Sequence, residues 1–378
     1  MIRTKIVILK WIDKLIGKPA VILLSEWQGI RGKGLRGVNI DSRLTTHDSR
    51  LKNFLIIRPG GIGDAVLLFP ALTELRKSFP HSQIHVLAEK RNAGILELCP
   101  SIDRLYLYDR GLDLFRVLRN NYDAAIDTEQ WHRLSAVIAF LTGAEVRIGF
   151  STNERERLFT HRVEYSHHDY EANSFIKLFS VLLNPNVEFD PEKPFINIPN
   201  SQSAISGHPQ KRVVQSSITI ALSLEASIKE REWGIEKFSG LADRLIQKGV
   251  EIVVIDKKRI NDFNVSGIKN LTGKLNLVKA AKELSKVSLL VSGDTGIMHI
   301  AYGLGISTVS LFGPGIEDKW APKGKNHIII NKRLSCSPCT KFGYTPACPR
   351  DAECMKMITV DEVEDAVLKL INTFIKIR

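Results

Sequence analysis

The segment VSGDTGIMHIAYGLGISTVSLFGPG, residues 291–315, decides how the rest of the chain is read. An apolar run over 287–291 meets Gly293-Asp294-Thr295-Gly296. Ile297, Ile300, Ala301 and Leu304 then recur with helical spacing, Gly305 stops the helix, and a second apolar run ends at Gly313-Pro314-Gly315. This is strand, tight turn, helix, strand. Asp294, Thr295 and Gly296 fall at the carboxyl end of the first strand and the start of the helix. Free backbone N–H groups and the helix dipole there favour a phosphate, and the glycines let its oxygens come close. The same residues also fit an ordinary βαβ unit with the helix capped by Asp294 or Thr295.

Working outward, 378 residues give room for roughly two domains, each with its own core. With 44% hydrophobic and 25% charged residues the chain reads as folded. No apolar run approaches the roughly 18 residues of a membrane span. Lys10, Asp13, Lys14 and Lys18 interrupt what would be the apolar core of a secretory signal, so a cytoplasmic location with reduced thiols is expected.

The net charge of +12 is uneven: the first 50 residues hold ten Lys and Arg against four Asp and Glu. Ile8, Ile12, Leu15 and Ile16 share one side of a helix there, with Lys10, Lys14 and Lys18 on the other. Such a helix suits an anionic membrane surface, through residues 1–24, and equally suits packing on the protein body. Residues 1–53 are therefore read as a basic amphipathic extension and linker. Nucleic acid is not an expected partner, since neither a zinc finger nor an RNA-binding aromatic signature is present.

The first core strand is predicted at 54–58. Pro59-Gly60-Gly61-Ile62-Gly63-Asp64, a helix over 65–78 and a strand over 84–88 follow. The glycine spacing is not that of a dinucleotide fingerprint, and Asp64 places a carboxylate where a pyrophosphate needs bare N–H groups. Asp64 reads either as a helix cap or as a general base. Asp127, Glu129, Gln130 and Arg133 cluster after a strand at 124–127, where open α/β sheets bind ligands. His161, His167 and His168 lack a metal-ligand spacing and read as a solvated turn, and Cys99 reads as a core residue. Pro185, Pro191, Pro194, Pro199 and the polar run to Gln215 mark a boundary. Beyond it, strands and helices alternate again, ending in an amphipathic helix over 360–375 that is expected to cross back onto the first domain. The pattern predicts two parallel-sheet α/β domains facing a cleft.

Five ordered motifs carry a resemblance: Arg58 through Asp64; Leu141-Thr142-Gly143-Ala144 with Arg147-Ile148-Gly149; Leu271-Thr272-Gly273-Lys274; Gly293 through His299; and Leu311-Phe312-Gly313-Pro314. From about residue 54 to the C-terminus the chain resembles the family 9 glycosyltransferases, the lipopolysaccharide heptosyltransferases. The resemblance implies a GT-B fold: an acceptor-side Rossmann-like domain over 54–200, a nucleotide-sugar domain over 215–358 and a C-terminal helix over 359–378. It implies inverting transfer of heptose from ADP-heptose to a lipopolysaccharide inner-core acceptor, with no catalytic cofactor. Work at the inner face of the cytoplasmic membrane follows from such an acceptor.

By the same resemblance Asp64 is the general base. Arg231, Asp294, Thr295 and Gly296 hold the donor, and His299 either contacts it or is a packed helix residue. Independently of the resemblance, acceptor contacts are expected from first-domain loops, with Gly61, Gly63, Glu129 and Arg133 on the acceptor side. Two departures stand out. Where the family commonly has Lys two residues before Trp-Pro, this chain has Arg231 before Trp233-Gly234; where it has Gly-Pro-Thr, this chain has Gly313-Pro314-Gly315. Cys336, Cys339, Cys348 and Cys354 suit either a structural zinc or reduced thiols. A same-fold enzyme using another nucleotide sugar, a sugar-nucleotide epimerase and a non-catalytic sugar-nucleotide-binding protein are the alternative functions.

Overall fold

The computed structural model describes residues 11–31, 50–184, 186–198, 218–341 and 344–376. The chain divides into two units, Met1–Phe189 and Asp190–Arg378. Each is built on a six-stranded sheet, and the two sheets share one topology.

In the first unit the strands are β1 Asn53–Arg58, β2 Gln83–Ala88, β3 Arg104–Leu107, β4 Ala124–Asp127, β5 Val146–Phe150 and β6 His161–Val163. They lie in the order β3-β2-β1-β4-β5-β6, all parallel. Helices α1 Lys18–Arg31, α2 Ile62–Leu67, α3 Phe69–Ser78, α4 Lys90–Leu96, α5 Gly111–Arg119, α6 Arg133–Leu141 and α7 Glu171–Phe179 surround the sheet. The central strands are apolar along their length because helices cover both faces, and β4 is buried at every residue. The single helix expected over 65–78 is two helices, divided at Leu68, with Pro70 seated in the first turn of α3 where its missing N–H costs nothing. His161 belongs to edge strand β6 and not to a solvated turn.

The N-terminal segment packs on this unit, through a face other than the expected one. A π-helical turn, Asp13–Gly17, leads into α1. Asp13 and Gly17 are buried, as is Val21, whereas Leu15 and Ile16 are exposed. Asp13 Oδ1 accepts the N–H groups of Arg133 at 2.5 Å and Leu134 at 3.1 Å, capping α6 from 120 residues away. Gly17 crosses so close that a Cβ on it would stand 3.1 Å from Arg133 Cβ. Residues 1–10, with Ile8 and Lys10, and most of the expected linker lie outside the described residues.

In the second unit the strands are β7 Thr219–Ser223, β8 Glu251–Val254, β9 Lys269–Asn270, β10 Leu289–Gly293, β11 Ser307–Phe312 and β12 His327–Asn331, in the order β12-β11-β10-β7-β8-β9. The helices are α8 Ile235–Gln247, α9 Leu277–Leu284, α10 Gly296–Gly303, α11 Glu317–Trp320, α12 Glu353–Lys356 and α13 Val360–Lys376. Of the proline-rich stretch, residues 190–198 join this unit, for the N–H groups of Phe195 and Ile196 both donate to Gly303 O at 2.8 Å. Helix α13, expected on the first domain, packs on α8, β11 and β12 of its own sheet. Its apolar stripe, Val363, Val367, Leu370 and Ile371, completes the core around Trp233 and Phe238. Trp233 Nε1 donates to Ile358 O at 2.9 Å just before α13 starts.

Candidate active site

Both sheets reverse strand order beside their first strand, at β1/β4 and at β7/β10. Open α/β sheets bind ligands at the carboxyl ends of the strands at such a point. The residues singled out in the sequence fall at these two places, one in each unit.

In the first unit β1 ends on Arg58, and the chain turns through Pro59 and Gly60 into α2. Gly60 adopts φ +104°, which a residue with a side chain rarely does. Helix α2 begins after Gly61, so Gly63 and Asp64 lie inside its first turn and Asp64 is not the cap. The Asp64 carboxylate keeps 25% side-chain exposure. The helix dipole favours a negative charge there.

Arg58 is the organiser of this end of the sheet, a role not read from the sequence. Its guanidinium is buried and donates to Pro59 O at 2.7 Å and Thr128 O at 3.0 Å. Its Nη2 stands 3.9 Å from Asp64 Oδ2 and 3.8 Å from Glu129 Oε2, so one cation serves both carboxylates. Burial pushes the Glu129 carboxyl up, but His132, Arg58, Arg155 and the Trp131 N–H outweigh it and hold it below the usual range. Glu129 also accepts the N–H groups of Gln130 and Trp131. Beneath it lies the fully buried pair Arg155–Asp127, 2.5 Å apart. The Tyr165 hydroxyl donates to Glu171 Oε2 at 3.0 Å. Burial, then the charges of Glu171 and Asp64, keep that phenol protonated. Arg133, assigned to the acceptor side, is engaged by Asp13, Asn153 and Glu154. A signal for Arg58 was present: a charge on the last residue of an apolar strand, directly before a glycine turn.

In the second unit Asp294 follows β10, and Thr295 caps α10 by accepting Met298 N–H. Arg231 Nη1 stands 2.9 Å from Asp294 Oδ2. Its Nη2 donates to Thr340 Oγ1 at 3.3 Å and Thr345 Oγ1 at 3.5 Å. Gly293 is needed for this approach, because a Cβ there would meet Arg231 O at 2.7 Å. His299 is buried within α10. Asp256, just beyond β8, was not foreseen: its carboxylate accepts from the Ser223 hydroxyl and the Leu224 N–H, both at 2.8 Å. Burial raises it to about 7 against those bonds.

All five cysteines are free thiols. Among the described residues no three His, Cys, Asp or Glu side chains are gathered as a metal set, so the zinc reading finds no formed site. The Cys336–Cys348 loop instead packs on the loop after β11, with the N–H groups of Cys339 and Thr340 donating to Pro314 O. Cys354 lies where a Cβ on Gly313 would come within 2.7 Å of its sulfur.

The pattern of Glycosyltransferase family 9 (heptosyltransferase) matches residues 112–345. The chain belongs to glycosyltransferase family 9. It is 24% identical to lipooligosaccharide heptosyltransferase 2 of Haemophilus ducreyi, over 73% of this chain and 87% of that one. To lipopolysaccharide heptosyltransferase 3 of Escherichia coli it is 24% identical, over 70% and 85%. Its fold is that of the Escherichia coli ADP-heptose lipopolysaccharide heptosyltransferase II structure, with a TM-score of 0.65 at 18% identity covering 85% and 99% of the two chains. The family 9 structure from Veillonella parvula gives a TM-score of 0.68 at 19% identity, covering 85% and 98%. The family 9 chain is thus a glycosyltransferase of GT-B fold, and no helix among its described residues is long and apolar enough to cross a membrane.

Proposed function

We propose that this family 9 enzyme transfers heptose from ADP-heptose to an inner-core sugar of lipopolysaccharide with inversion, and that Asp64 is its general base. The observation that carries the reading is Asp64 itself: a partly exposed carboxylate in the first turn of a helix at the sheet's reversal point, steadied by Arg58. In the step, an acceptor hydroxyl oxygen bonds to the anomeric carbon while its proton passes to Asp64. The bond from that carbon to the diphosphate oxygen breaks, and its electron pair leaves with ADP. A base placed for such a transfer is worth about 10²–10⁴ in rate.

Charge on the departing diphosphate is met by Arg231 and by the N–H groups at the start of α10, where Thr295 and Gly296 lie. Arg keeps the charge that Lys supplies elsewhere in the family and adds a planar fork suited to phosphate oxygens. Gly61, Gly63 and Glu129 border Asp64 and face the acceptor in this reading. Arg133 contributes by fixing the loop through Asp13. A lipid-linked acceptor places the enzyme on the inner face of the cytoplasmic membrane, where a basic N-terminal segment is an advantage.

The test is release of ADP from ADP-heptose by wild type and by Asp64→Ala, with and without heptose-free lipopolysaccharide core. Acceptor-dependent release that Asp64→Ala abolishes, with ADP-heptose binding retained, is expected. Release without acceptor, or release that survives Asp64→Ala, overturns the mechanism; failure of wild type to bind ADP-heptose overturns the donor.

A further inference from the structure

The N-terminal helix, α5 and α6 share one layer. Val21, Val117 and Ala136, one from each, are buried in a single cluster with Leu55, Ile57, Leu87 and Ala125. Those four strand residues line one side of the first sheet: Leu55 is in register with Ala125, and Ile57 with Leu87. The outer sides of the three helices therefore form one surface.

That surface is unusually apolar. Along the N-terminal helix Trp11, Leu15, Ile16, Leu23 and Trp27 are exposed, Trp11 at 63% and Leu23 at 65%. On α5, one helical turn apart, Leu112 is 72% and Phe115 67% exposed. Leu141 ends α6 in the same condition. Among the described residues, the one other exposed large apolar side chain is Met357, in the second unit. The inward faces explain why these were left outside: docking runs through Asp13, Gly17 and Val21, so the bulky residues between them turn away.

Cations interleave with this apolar set. Lys14, Arg110 and Arg119 are exposed on or beside the same elements, as are Lys18 and Arg116, which pair with Glu154 and Asp113. The nearby acids are largely committed: Asp13 to α6, Asp113 to Leu107 N–H and Arg116, Glu154 to Lys18 and Arg133, and Asp109 to Lys90 N–H. Glu26 on α1 and Glu145, just after α6, are further exposed acids.

We infer that this three-helix face is a membrane-docking surface for an anionic bilayer, with α5 a second insertion point on the same side of the sheet as the N-terminal helix. The charge decides the occupant, since a basic rim around Trp, Phe and Leu matches anionic headgroups above acyl chains. Trp11, before the Asp13–Gly17 turn, and Trp27, on α1, stand at the two ends of the exposed apolar set of this segment, as suits a helix lying in the interface plane. The inference extends the proposed reading, which needs a lipid-linked acceptor. It assigns the contact to the folded unit and not to residues 1–24 alone.

The experiment is sedimentation of the full chain with neutral phosphatidylcholine vesicles and with vesicles containing phosphatidylglycerol, at two ionic strengths. Leu112→Ser/Phe115→Ser is compared with wild type, and Trp11→Ser/Leu15→Ser serves as a second variant should the first fail to fold. Wild type is expected to bind the anionic vesicles, less so at high salt, and Leu112→Ser/Phe115→Ser to bind about ten-fold or more weakly. Undiminished binding by a folded Leu112→Ser/Phe115→Ser protein overturns the role of α5. Equal binding to neutral vesicles, or no binding by wild type, overturns the surface. A wild-type dimer that the α5 variant dissolves, without vesicle binding, makes the face a self-association surface and also overturns it. Vesicle binding needs no donor or acceptor, so the result stands apart from the fate of the transferase reading.

Discussion

Arg231 Nη1 and Asp294 Oδ2 lie 2.9 Å apart, and a Cβ on Gly315 would come within 2.4 Å of that same oxygen. Arg231 and Gly315, the two positions singled out in the sequence as unlike the residues the resemblance leads one to expect, thus converge on one carboxylate. Asp294 Oδ2 stands beside Arg231 in space that a side chain at residue 315 would enter.

The two departures are therefore expected to be coupled. On the proposed donor, Gly315→Thr is expected to displace Asp294 from Arg231 and to weaken ADP binding about ten-fold. Arg231→Lys alone also weakens it, because Thr340 and Thr345 then share a single point charge. The double variant is expected to lose less than the sum, with a coupling of about 0.5–3 kcal/mol, as found for residues in one network. Titration calorimetry of the four proteins with ADP measures it. Strict additivity would show that residues 231 and 315 do not act through Asp294.

The Arg155–Asp127 pair has no exposed surface on either side chain. Arg155→Met leaves Asp127 buried without its cation, and the first unit is expected to lose about 3–5 kcal/mol in urea unfolding. Arg155→Met/Asp127→Leu, which removes both charges, is expected to recover most of that loss. A double variant no more stable than the single one would mean that the neighbouring bonds, not the unpaired charge, set the cost.

Much of this architecture was legible because its strands are parallel and covered on both faces, so they appear as short apolar runs. The edges of the sheets were not: β9 has two residues and β6 three, too few for any pattern. Asp64 and Asp294 stood out because glycine turns isolate them. Asp13 did not, since its partner lies 120 residues away and nothing local distinguishes a buried capping aspartate from a solvated one. The same helix shows why apolar spacing misleads. Leu15 and Ile16 mark an apolar side, but spacing cannot say whether that side meets the core or the outside, and here a polar residue and a glycine make the contact.

Asp13 is expected to govern the docking of its segment. Asp13→Ala removes two bonds to the start of α6 and the ion pair to Arg133, at a cost of about 2–4 kcal/mol. Asp13→Asn keeps an acceptor for the helix N–H groups while losing the charge, and should fall between. Proteolysis monitors the segment and urea unfolding the whole unit. If Asp13→Ala is no more protease-sensitive than wild type, the apolar contacts of Val21 and Leu24 suffice to hold it.

Asp256 makes stability depend on pH in a direction opposite to that of a salt-bridged carboxylate. Burial raises its carboxyl to about 7 in the folded protein, against the bonds from Leu224, Ser223 and Glu225. In the unfolded chain an aspartate releases its proton near pH ~3.9. Between those two values the folded state holds a proton that the unfolded state has lost. The stabilisation is therefore complete below the lower value and fades as pH rises through about 7. The slope is at most about 1.4 kcal/mol per pH unit. Asp256→Asn keeps a neutral side chain of the same shape, whose amide can accept from Leu224 N–H and donate to the Ser223 hydroxyl. Its unfolding free energy is expected to gain on wild type steadily from about pH 4 to about pH 7 and to run parallel above that. Parallel curves over the whole range would show that Asp256 is ionised in the folded protein, with its three donors outweighing burial.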